Sequence, residues 1–536
     1  MTQGMLNPLH WEASDPDVLW SPGNVSEAIP GVSTALNWSF IDDAIERAAR
    51  NAFYSMGVLR RGERSLGERA EDRFMVCFYG RTVANIEAMR RIGDRTPGTS
   101  ANAIEEQLFG VVRPDAVNQS TNRYVPTVLA RMPGTATRLC SRQLALRSEL
   151  TAWWRGSVLE PPTTLDGARA LLVEAREFYA RSFELGTFAS MLAQGLYDQV
   201  VALAHAAGSP GLQHRLITGY DGMLETEMLS DLWSLSGGRM DLSAFLLRHG
   251  FHGPDEGQMA SRVWREDPAP LLSLARRYQE LKPHAHPQLV VARQRAIRED
   301  AERELLGALG RLRAPGARLV LKLAKALIPQ REVGKANYTQ ALDAARLAAR
   351  TIGRVLVEGG ALDAVDDVFG LTYEELLDAS PSGDYRSLSA ERSRLRADYL
   401  TTELPEKWLG PPQRIGVDAA SNGAGPGSVI AGEPGGGGSV TATVRVVSDP
   451  AEDLELGEVL VCHCTDPGWV TLFHLAGGVA VDMGGTMSHA AIVARELGIP
   501  CVTCTVDGSR RLHTGDLVRL DGDSGEIELL ERGGDR

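Results

Sequence analysis

The 536-residue sequence predicts a multidomain protein of the α plus α/β class, a large and mostly helical region followed by a small β/α domain. Apolar residues recur at helical spacing over residues 41–59, 168–192 and 343–357, and strand-like alternation is scarce before residue 410. After a glycine-rich stretch, short apolar runs alternate with one helical pattern. We therefore expect a helical domain over residues 1–410, a flexible linker over 411–439 and a β/α domain over 440–536.

Local signals give the expected elements. Residues 208–211 and 314–316 contain Pro and Gly and are expected to interrupt helices. In the β/α domain, a helix is expected over residues 488–497, ending at Gly498. Strands are expected over residues 440–447, 458–462, 478–481, 500–506 and 517–520.

Composition narrows the class of protein. The formal net charge of −13 argues against a nucleic-acid-binding protein. No apolar run reaches the ~18 residues of a membrane span, so no membrane association is expected. The N-terminus lacks the basic and apolar segments of a signal peptide, and six cysteines do not make a disulfide framework. The sequence therefore predicts a protein of the reducing cytoplasm.

The strongest chemical signal is the segment 482–500, which indicates a strand, a Gly-Gly turn and a helix. Ser488 is a good N-cap, which places His489 in the first helical turn. Unpaired backbone N–H groups and the helix dipole would stabilise a phosphate there, and the glycines allow close approach of the backbone. Because a neutral imidazole is a nucleophile toward phosphorus, we predict that His489 is phosphorylated. The alternative is an ordinary capped helix with an incidental histidine.

Residues 484–502 resemble the signature of the mobile phosphohistidine domain of phosphoenolpyruvate-utilising enzymes, a group that includes pyruvate phosphate dikinase and rifampicin phosphotransferase. Residues 465–469, 476–479 and 517–525 resemble its flanking segments, so the resemblance covers the whole β/α domain. It implies that His489 carries a phosphoryl group in a swivelling domain. It also implies that Gly485, Thr486 and Ser488 neighbour the phosphate, and that Arg495 is a structural ion-pair residue rather than a catalyst.

The helical region resembles the central substrate domain of rifampicin phosphotransferase-like proteins at residues 24–40, 251–268 and 365–376. Arg331 and Lys335 are four residues apart and share a helix face with Tyr338, just after Pro329. Two cations at a helix start oppose the dipole unless an anion binds there, and a transferring phosphoryl group is such an anion. The resemblance implies that both contact the transferred phosphate. The alternative is a solvated basic patch.

Two further clusters carry candidate ligands or bases. His249, His252, Asp255 and Glu256 are candidates for orienting an acceptor hydroxyl or taking its proton, and His252 and Glu256 match the family pattern best. Helix capping and surface hydrogen bonding are the alternative. Cys462, Cys464, Cys501 and Cys504 have ligand-like spacing, but their strand positions favour buried thiols, so no metal ligands are predicted.

The sequence shows no Walker loop, and the family resemblance begins near residue 24, which leaves no room for an ATP-grasp domain before it. The chain therefore resembles the histidine-carrying subunit of split dikinase-type enzymes such as the phenylphosphate and cresol-phosphate synthases. This implies that a separate ATP-grasp partner supplies ATP and Mg²⁺, that this chain binds no cofactor tightly, and that the acceptor is a small hydroxyl compound, a phenol or cresol. The alternatives are a noncatalytic phosphocarrier or scaffold, a transferase for antibiotic-like hydroxyl compounds, and a paralogue whose histidine is never phosphorylated.

Overall fold

A computed structural model of the chain describes residues 7–23, 25, 28–109, 112–113, 116–209, 211–220, 223–414, 425–449, 452, 454–465, 467–486 and 488–533. Its α-helices, numbered α1 to α16 in chain order, are Ala35–Met56, Ile86–Arg95, Ala101–Phe109, Val125–Leu159, Leu165–Ala206, Leu212–Leu216, Leu224–Ser236, Leu242–His249, Ala269–Tyr278, Pro287–Leu327, Gln330–Glu358, Tyr373–Asp378, Arg386–Leu400, Val470–Phe473, His489–Leu497 and Gly508–Arg511. Its strands, β1 to β12, are Leu19–Ser21, Met75–Phe78, Arg81–Asn85, Trp408–Leu409, Val429–Ala431, Glu433–Gly436, Ser439–Val446, Val459–Cys462, Gly478–Val481, Cys501–Thr503, Leu517–Asp521 and Glu526–Glu531.

The helical region is built around α5 and α11, which pack against each other and against α1 and α4. The side of α11 that meets α5 is rich in buried alanines, and small residues let two helix backbones approach closely. The approach is closest at Gly186 and Gly334, where a Cβ on Gly334 would lie 2.7 Å from the Gly186 Cα. This crossing fixes the first turns of α11, which contain Arg331 and Lys335.

In the helical region one feature was not predicted and one expectation is wrong. A small antiparallel sheet of order β2-β3-β1-β4 was not predicted, because its strands are two to five residues long and almost wholly buried, so they show no alternation. Residues 314–316 do not interrupt a helix either. The irregularity in α10 lies at Gly310, whose φ of 68° and ψ of 177° are not helical. The break expected over residues 208–211 does separate α5 from α6.

The β/α domain contains an eight-stranded sheet of order β5-β12-β11-β7-β8-β9-β10-β6. The strands β7, β8, β9 and β10 are parallel to one another, and the pairs on either side of them are antiparallel. The five predicted strands and the predicted helix are all present, with ends shifted by up to three residues. The predicted α plus α/β class is therefore confirmed.

The predicted linker needs correction. Its strands β5 and β6 occupy the two edges of the eight-stranded sheet, so at least residues 429–436 belong to the β/α domain and the boundary at residue 440 is too late. Glycine is needed in β6 because a Cβ on Gly436 would lie 2.6 Å from the carbonyl oxygen of Ile499. Residues 415–424 of the predicted linker lie outside the described residues.

The β/α domain packs against the helical region through a shared apolar cluster. This cluster joins Met228, Leu232 and Phe245 of the helical region to Phe473 and Val493 of the β/α domain. Hydrogen bonds border it: the Thr218 hydroxyl donates to the Arg495 carbonyl at 2.7 Å, and the Tyr278 hydroxyl to the Thr471 carbonyl at 3.1 Å. The packing brings the start of α15 against the helical region.

Candidate functional site

His489 is the first residue of α15, as the sequence predicts. Ser488 caps the helix, with its hydroxyl accepting from the Ala491 N–H at 3.3 Å, and Gly498 ends it in the left-handed conformation at φ 68°. Only 1% of the His489 side chain is exposed. Burial, and then the charge of Lys335, lower the pKa of His489 to about 4. The imidazole is therefore neutral near pH 7, which is the nucleophilic form.

The start of α11 lies opposite His489. Glu332 Oε2 is 3.4 Å from His489 Nδ1, and 3% of the Glu332 side chain is exposed. Although burial opposes ionisation, the contact with His489 and the charges of Arg331 and Lys335 hold the pKa of Glu332 well below its usual range. A carboxylate at Nδ1 favours the tautomer protonated there, which directs the lone pair to Nε2. The contact with Glu332 therefore leaves Nε2 as the unprotonated ring nitrogen.

Glu225 completes this cluster from the first turn of α7. Burial, and then the neighbouring Glu332 charge, raise the pKa of Glu225 to about 8. The ligand atoms of Glu225, Glu332 and His489 all lie within 4.8 Å of one another, the one three-residue group of this kind in the described part of the chain. Each of the three lies in the first turn of its helix, so three positive helix ends converge here, as suits an anion.

An apolar cavity of about 200 Å³ adjoins this cluster. Arg331, Lys335 and Tyr338 all line it, as their predicted common helix face requires. The remaining walls include aromatic and methionine side chains from α1, α2, α5 and β2: Phe53, Phe74, Met75, Met89 and Phe183. With 17% of its side chain exposed, Arg331 does not belong to a solvated basic patch. The two cations therefore line the apolar cavity, and their charges also act on His489.

His252 and Glu256 form a buried pair, with Nδ1 and Oε2 2.7 Å apart. His252 lines a second, polar cavity together with Glu225, His249 and Lys335, and it is absent from the apolar one. Lys335 lines both cavities, so it is the link between the pair and the apolar cavity. That His252 or Glu256 serves an acceptor hydroxyl stays a prediction.

The other members of that predicted cluster have separate partners. His249 Nε2 lies 2.7 Å from Asp231 Oδ2, which orients the ring. Asp255 has a φ of 48°, and the charges that act on it are those of Asp449 and Arg396 rather than those around His489. The structure therefore brings His252 and Glu256 together and leaves Asp255 apart.

The remaining predicted residues have defined positions. Gly485 and Thr486 lie on the turn before α15, and the Gly485 carbonyl accepts from the Ser488 N–H at 2.9 Å. Their role as phosphate neighbours stays a prediction. Arg495 is buried and donates to the Gly435 carbonyl at 2.9 Å, which ties α15 to β6 and fits a structural role. Cys462 and Cys501 are buried in strands, and all six cysteines are free thiols.

Sequence reasoning missed Glu225 and Glu332. Glu332 lies inside the stretch that drew attention to Arg331 and Lys335, and its acidic side chain in the first helical turn was an available signal. Glu225 precedes it by about a hundred residues, and nothing in its local sequence marks it. Tertiary packing alone brings it to the site. The prediction of no metal ligands stays untested.

Comparisons with known proteins agree with this geometry. Residues 454–525 match the family model described as "PEP-utilising enzyme, mobile domain". The chain therefore carries the mobile domain of phosphoenolpyruvate-utilising enzymes that the sequence motif predicts. Residues 225–332, which include both glutamates, match the model described as "Rifampicin phosphotransferase fourth domain". Together the matches confirm the resemblance to the rifampicin phosphotransferase branch of the phosphoenolpyruvate-utilising enzymes.

Individual relatives are similar over part of their length. A rifampicin phosphotransferase of Streptomyces sviceus is 29% identical over 334 residues, covering 58% of this chain and 37% of the relative. A prodigiosin-synthesising transferase of Serratia marcescens is 29% identical over 323 residues, covering 58% and 35%. An uncharacterised protein of Mycobacterium tuberculosis is 33% identical over 285 residues, covering 53% and 30%. The chain thus spans about a third of the length of these relatives.

Among its described residues, no helix has the length and apolar character needed to cross a membrane.

Proposed function

We propose that this chain is a phosphotransferase subunit of the dikinase type. His489 accepts a phosphoryl group from ATP held with Mg²⁺ by a separate ATP-grasp partner, with AMP and phosphate as the other products. It then passes the group to the hydroxyl of a small organic acceptor. The observation that carries the proposal is the position of Arg331 and Lys335, which line the apolar cavity and act on the buried His489.

The second transfer follows from this arrangement. The acceptor oxygen bonds to phosphorus, the Nε2–phosphorus bond breaks, and its electron pair returns to the imidazole. Arg331 and Lys335 stabilise the charge that develops on the phosphoryl oxygens. As the base that takes the acceptor proton we propose His252, which its 2.7 Å contact with Glu256 orients and which lines the polar cavity together with Lys335. Reaching both a donor and an acceptor requires the β/α domain to move.

The apolar cavity favours a small aromatic acceptor. Its volume of about 200 Å³ is below the ~300–1,000 Å³ typical of sites for drug-sized ligands. Phe53, Phe74 and Phe183 offer ring faces and edges for stacking. Both features support a phenol or cresol. The relatives named rifampicin phosphotransferase support the alternative, an antibiotic-like hydroxyl compound. A noncatalytic phosphocarrier or scaffold has no need for such a cavity beside the histidine.

Phosphate-labelled ATP tests this proposal. The chain is mixed with candidate ATP-grasp proteins and with ATP labelled at either the β or the γ phosphate. We expect acid-labile label on the wild-type chain from β-labelled but not from γ-labelled ATP, because the terminal phosphate is the one released. We expect none on His489→Ala and full labelling of His513→Ala, a matched change at an exposed histidine of the same domain. Phenol, p-cresol and rifampicin are then added in turn, and we expect the phenols to remove the label as phosphate esters.

The outcomes separate the alternatives. Label that no small acceptor removes would favour the phosphocarrier, and transfer to rifampicin alone would favour the antibiotic-like acceptor. Absence of label with every ATP-grasp candidate would contradict the enzyme proposal and favour a paralogue whose histidine is never phosphorylated.

A further inference from the structure

Three carboxylate oxygens beside His489 are buried without a well-formed hydrogen bond: Oε2 of Glu225 and both oxygens of Glu332, whose contact with His489 Nδ1 is long at 3.4 Å. Glu332 is buried, with His489 Nδ1 3.4 Å from its Oε2 and the Arg331 Nε 3.8 Å from its Oε1. Leaving buried acceptors without partners costs free energy, about 1–3 kcal/mol for each group and more when it is charged. Two carboxylates on rigid helices, aimed at one point, therefore call for a further positive partner.

Charge balance points the same way. Glu225 and Glu332 carry two negative charges when ionised, and Arg331 and Lys335 carry two positive charges. A phosphoryl group on His489 adds about −1.5 to −2 charges at neutral pH. Because burial and the Glu332 charge raise the pKa of Glu225 to about 8, Glu225 is protonated near pH 7, and the docked, phosphorylated site would hold a net charge of about −1 in a buried place. A divalent cation that displaces the Glu225 proton restores neutrality.

We propose that Glu225 and Glu332 bind a divalent cation of the Mg²⁺ or Mn²⁺ class, with a His489 ring nitrogen as third ligand and, after phosphorylation, a phosphoryl oxygen in its place. The role of the cation in transfer rests on the proposed function, but the test of cation binding does not. Carboxylate oxygens are the ligands that these hard cations prefer. The bound cation neutralises charge on the oxygens of the phosphoryl group during transfer.

The geometry suits such an ion. The ligand atoms of the three residues lie within 4.8 Å of one another, and two ligands on opposite sides of an octahedral Mg²⁺ are about 4.2 Å apart. Rotation of a glutamate side chain closes this difference. Glu225 also lines the polar cavity, with Glu227 beside it, so a hydrated ion has a route to the carboxylates and can keep water ligands on that side.

Mn²⁺ titration of the full, unphosphorylated chain, followed by electron paramagnetic resonance, tests the site without nucleotide, acceptor or partner. We expect one Mn²⁺ per chain, displaced by Mg²⁺, with affinity at least tenfold weaker in Glu225→Gln and in Glu332→Gln. Glu227→Gln is the matched control, because it removes a carboxylate from the same cavity outside the cluster, and its affinity should equal that of the wild type. Pulsed measurements should show nitrogen coupling to Mn²⁺ that His489→Ala abolishes.

Two results would overturn the proposal. One is Mn²⁺ binding that Glu225→Gln and Glu332→Gln leave unchanged, or no binding by the wild type at millimolar Mn²⁺. The other is a phosphorylated Glu225→Gln chain that transfers its phosphoryl group at the wild-type rate, because the amide can keep a hydrogen bond to Glu332 but loses the negative charge that binds the cation. Equal thermal unfolding temperatures for all variants would show that each comparison is made between folded chains. None of these results depends on which acceptor the proposed function uses.

Discussion

The β/α domain and the helical region build their two halves of the candidate site in different ways. The β/α domain presents His489 from one continuous strand, turn and helix, between Gly478 and Gly498. The helical region assembles its half from α7 and α11, helices that start about a hundred residues apart and meet only through packing. The first half is therefore local and can move as a unit, whereas the second depends on the integrity of the whole helical core.

The comparison predicts that the two halves fail at different steps, which Arg331→Met and Lys335→Met test. In the proposed mechanism each change removes a charged donor to the phosphoryl group, so we expect transfer from His489 to the acceptor to slow by about 10²–10³-fold. Labelling of His489 by the donor should stay near the wild-type level, because that step uses another docking partner. Single-turnover transfer from the isolated, labelled chain measures the effect. Lys322→Met, at an exposed position on α10, is the control. If labelling of His489 and transfer to the acceptor slow equally, the two halves of the site are not independent.

A smaller effect is expected from filling the apolar cavity. Ser190 lies on α5 and lines this cavity, so Ser190→Phe places a ring in the space proposed for the acceptor. We expect the KM for a phenolic acceptor to rise by roughly 10–100-fold with little change in the labelling of His489. Ser141→Phe, at an exposed position on α4, should change neither quantity. An unchanged KM in Ser190→Phe would place the acceptor elsewhere, with the polar cavity as the next candidate.

The same contrast explains how much of the molecule the sequence predicts. The position of His489, its Ser488 cap and the strands of the parallel core follow from residues close in sequence, and these expectations agree with the structure. Arg331 and Lys335 could also be found, because two cations in the first turns of a helix are unusual. Glu225 could not, since its place beside Glu332 results from packing between helices.

The errors have a related cause. The glycine-rich stretch has the composition of a linker, yet its glycines permit the close approach of β6 to its neighbours. Composition cannot separate these cases, because flexibility and tight backbone contact both favour glycine. The small N-terminal sheet was missed because strands this short and this buried lack a readable period.

The α5–α11 crossing gives a test of how the helical core supports the site. Gly334→Ala adds a Cβ that would lie 2.7 Å from the Gly186 Cα, so the helices must separate. We expect the free energy of unfolding to fall by about 1–3 kcal/mol, and transfer to slow because Arg331 and Lys335 flank this position. Gly307→Ala on α10 meets no atom within 4 Å, so it should stabilise the protein by about 0.5–1 kcal/mol. Urea denaturation measures both. A stable Gly334→Ala with normal transfer would show that the crossing tolerates displacement.

The smallest expected effect concerns the contact between the two regions. Glu496 lies on α15 and accepts from the Tyr220 N–H of the helical region at 3.4 Å. Burial raises the pKa of Glu496 from 4.5 to about 7. Because the docked state raises this pKa, docking is strongest below about pH 4.5, where Glu496 is protonated in both states. The stabilisation of the docked state by protonated Glu496 is lost as the pH rises through about 7. The β/α domain should therefore leave the helical region more readily at pH 8 than at pH 5.

Hydrogen exchange in the segment from α6 to Tyr220 measures this equilibrium. We expect the undocked fraction to increase by on the order of tenfold between pH 5 and pH 8, after correction for the intrinsic exchange rate. Glu496→Gln should remove most of this pH dependence, because the amide stays neutral in both states. Glu526→Gln, an exposed change on β12 of the same domain, should retain it. If Glu496→Gln keeps the wild-type pH dependence of the undocked fraction, a group other than Glu496 controls the docking of the β/α domain.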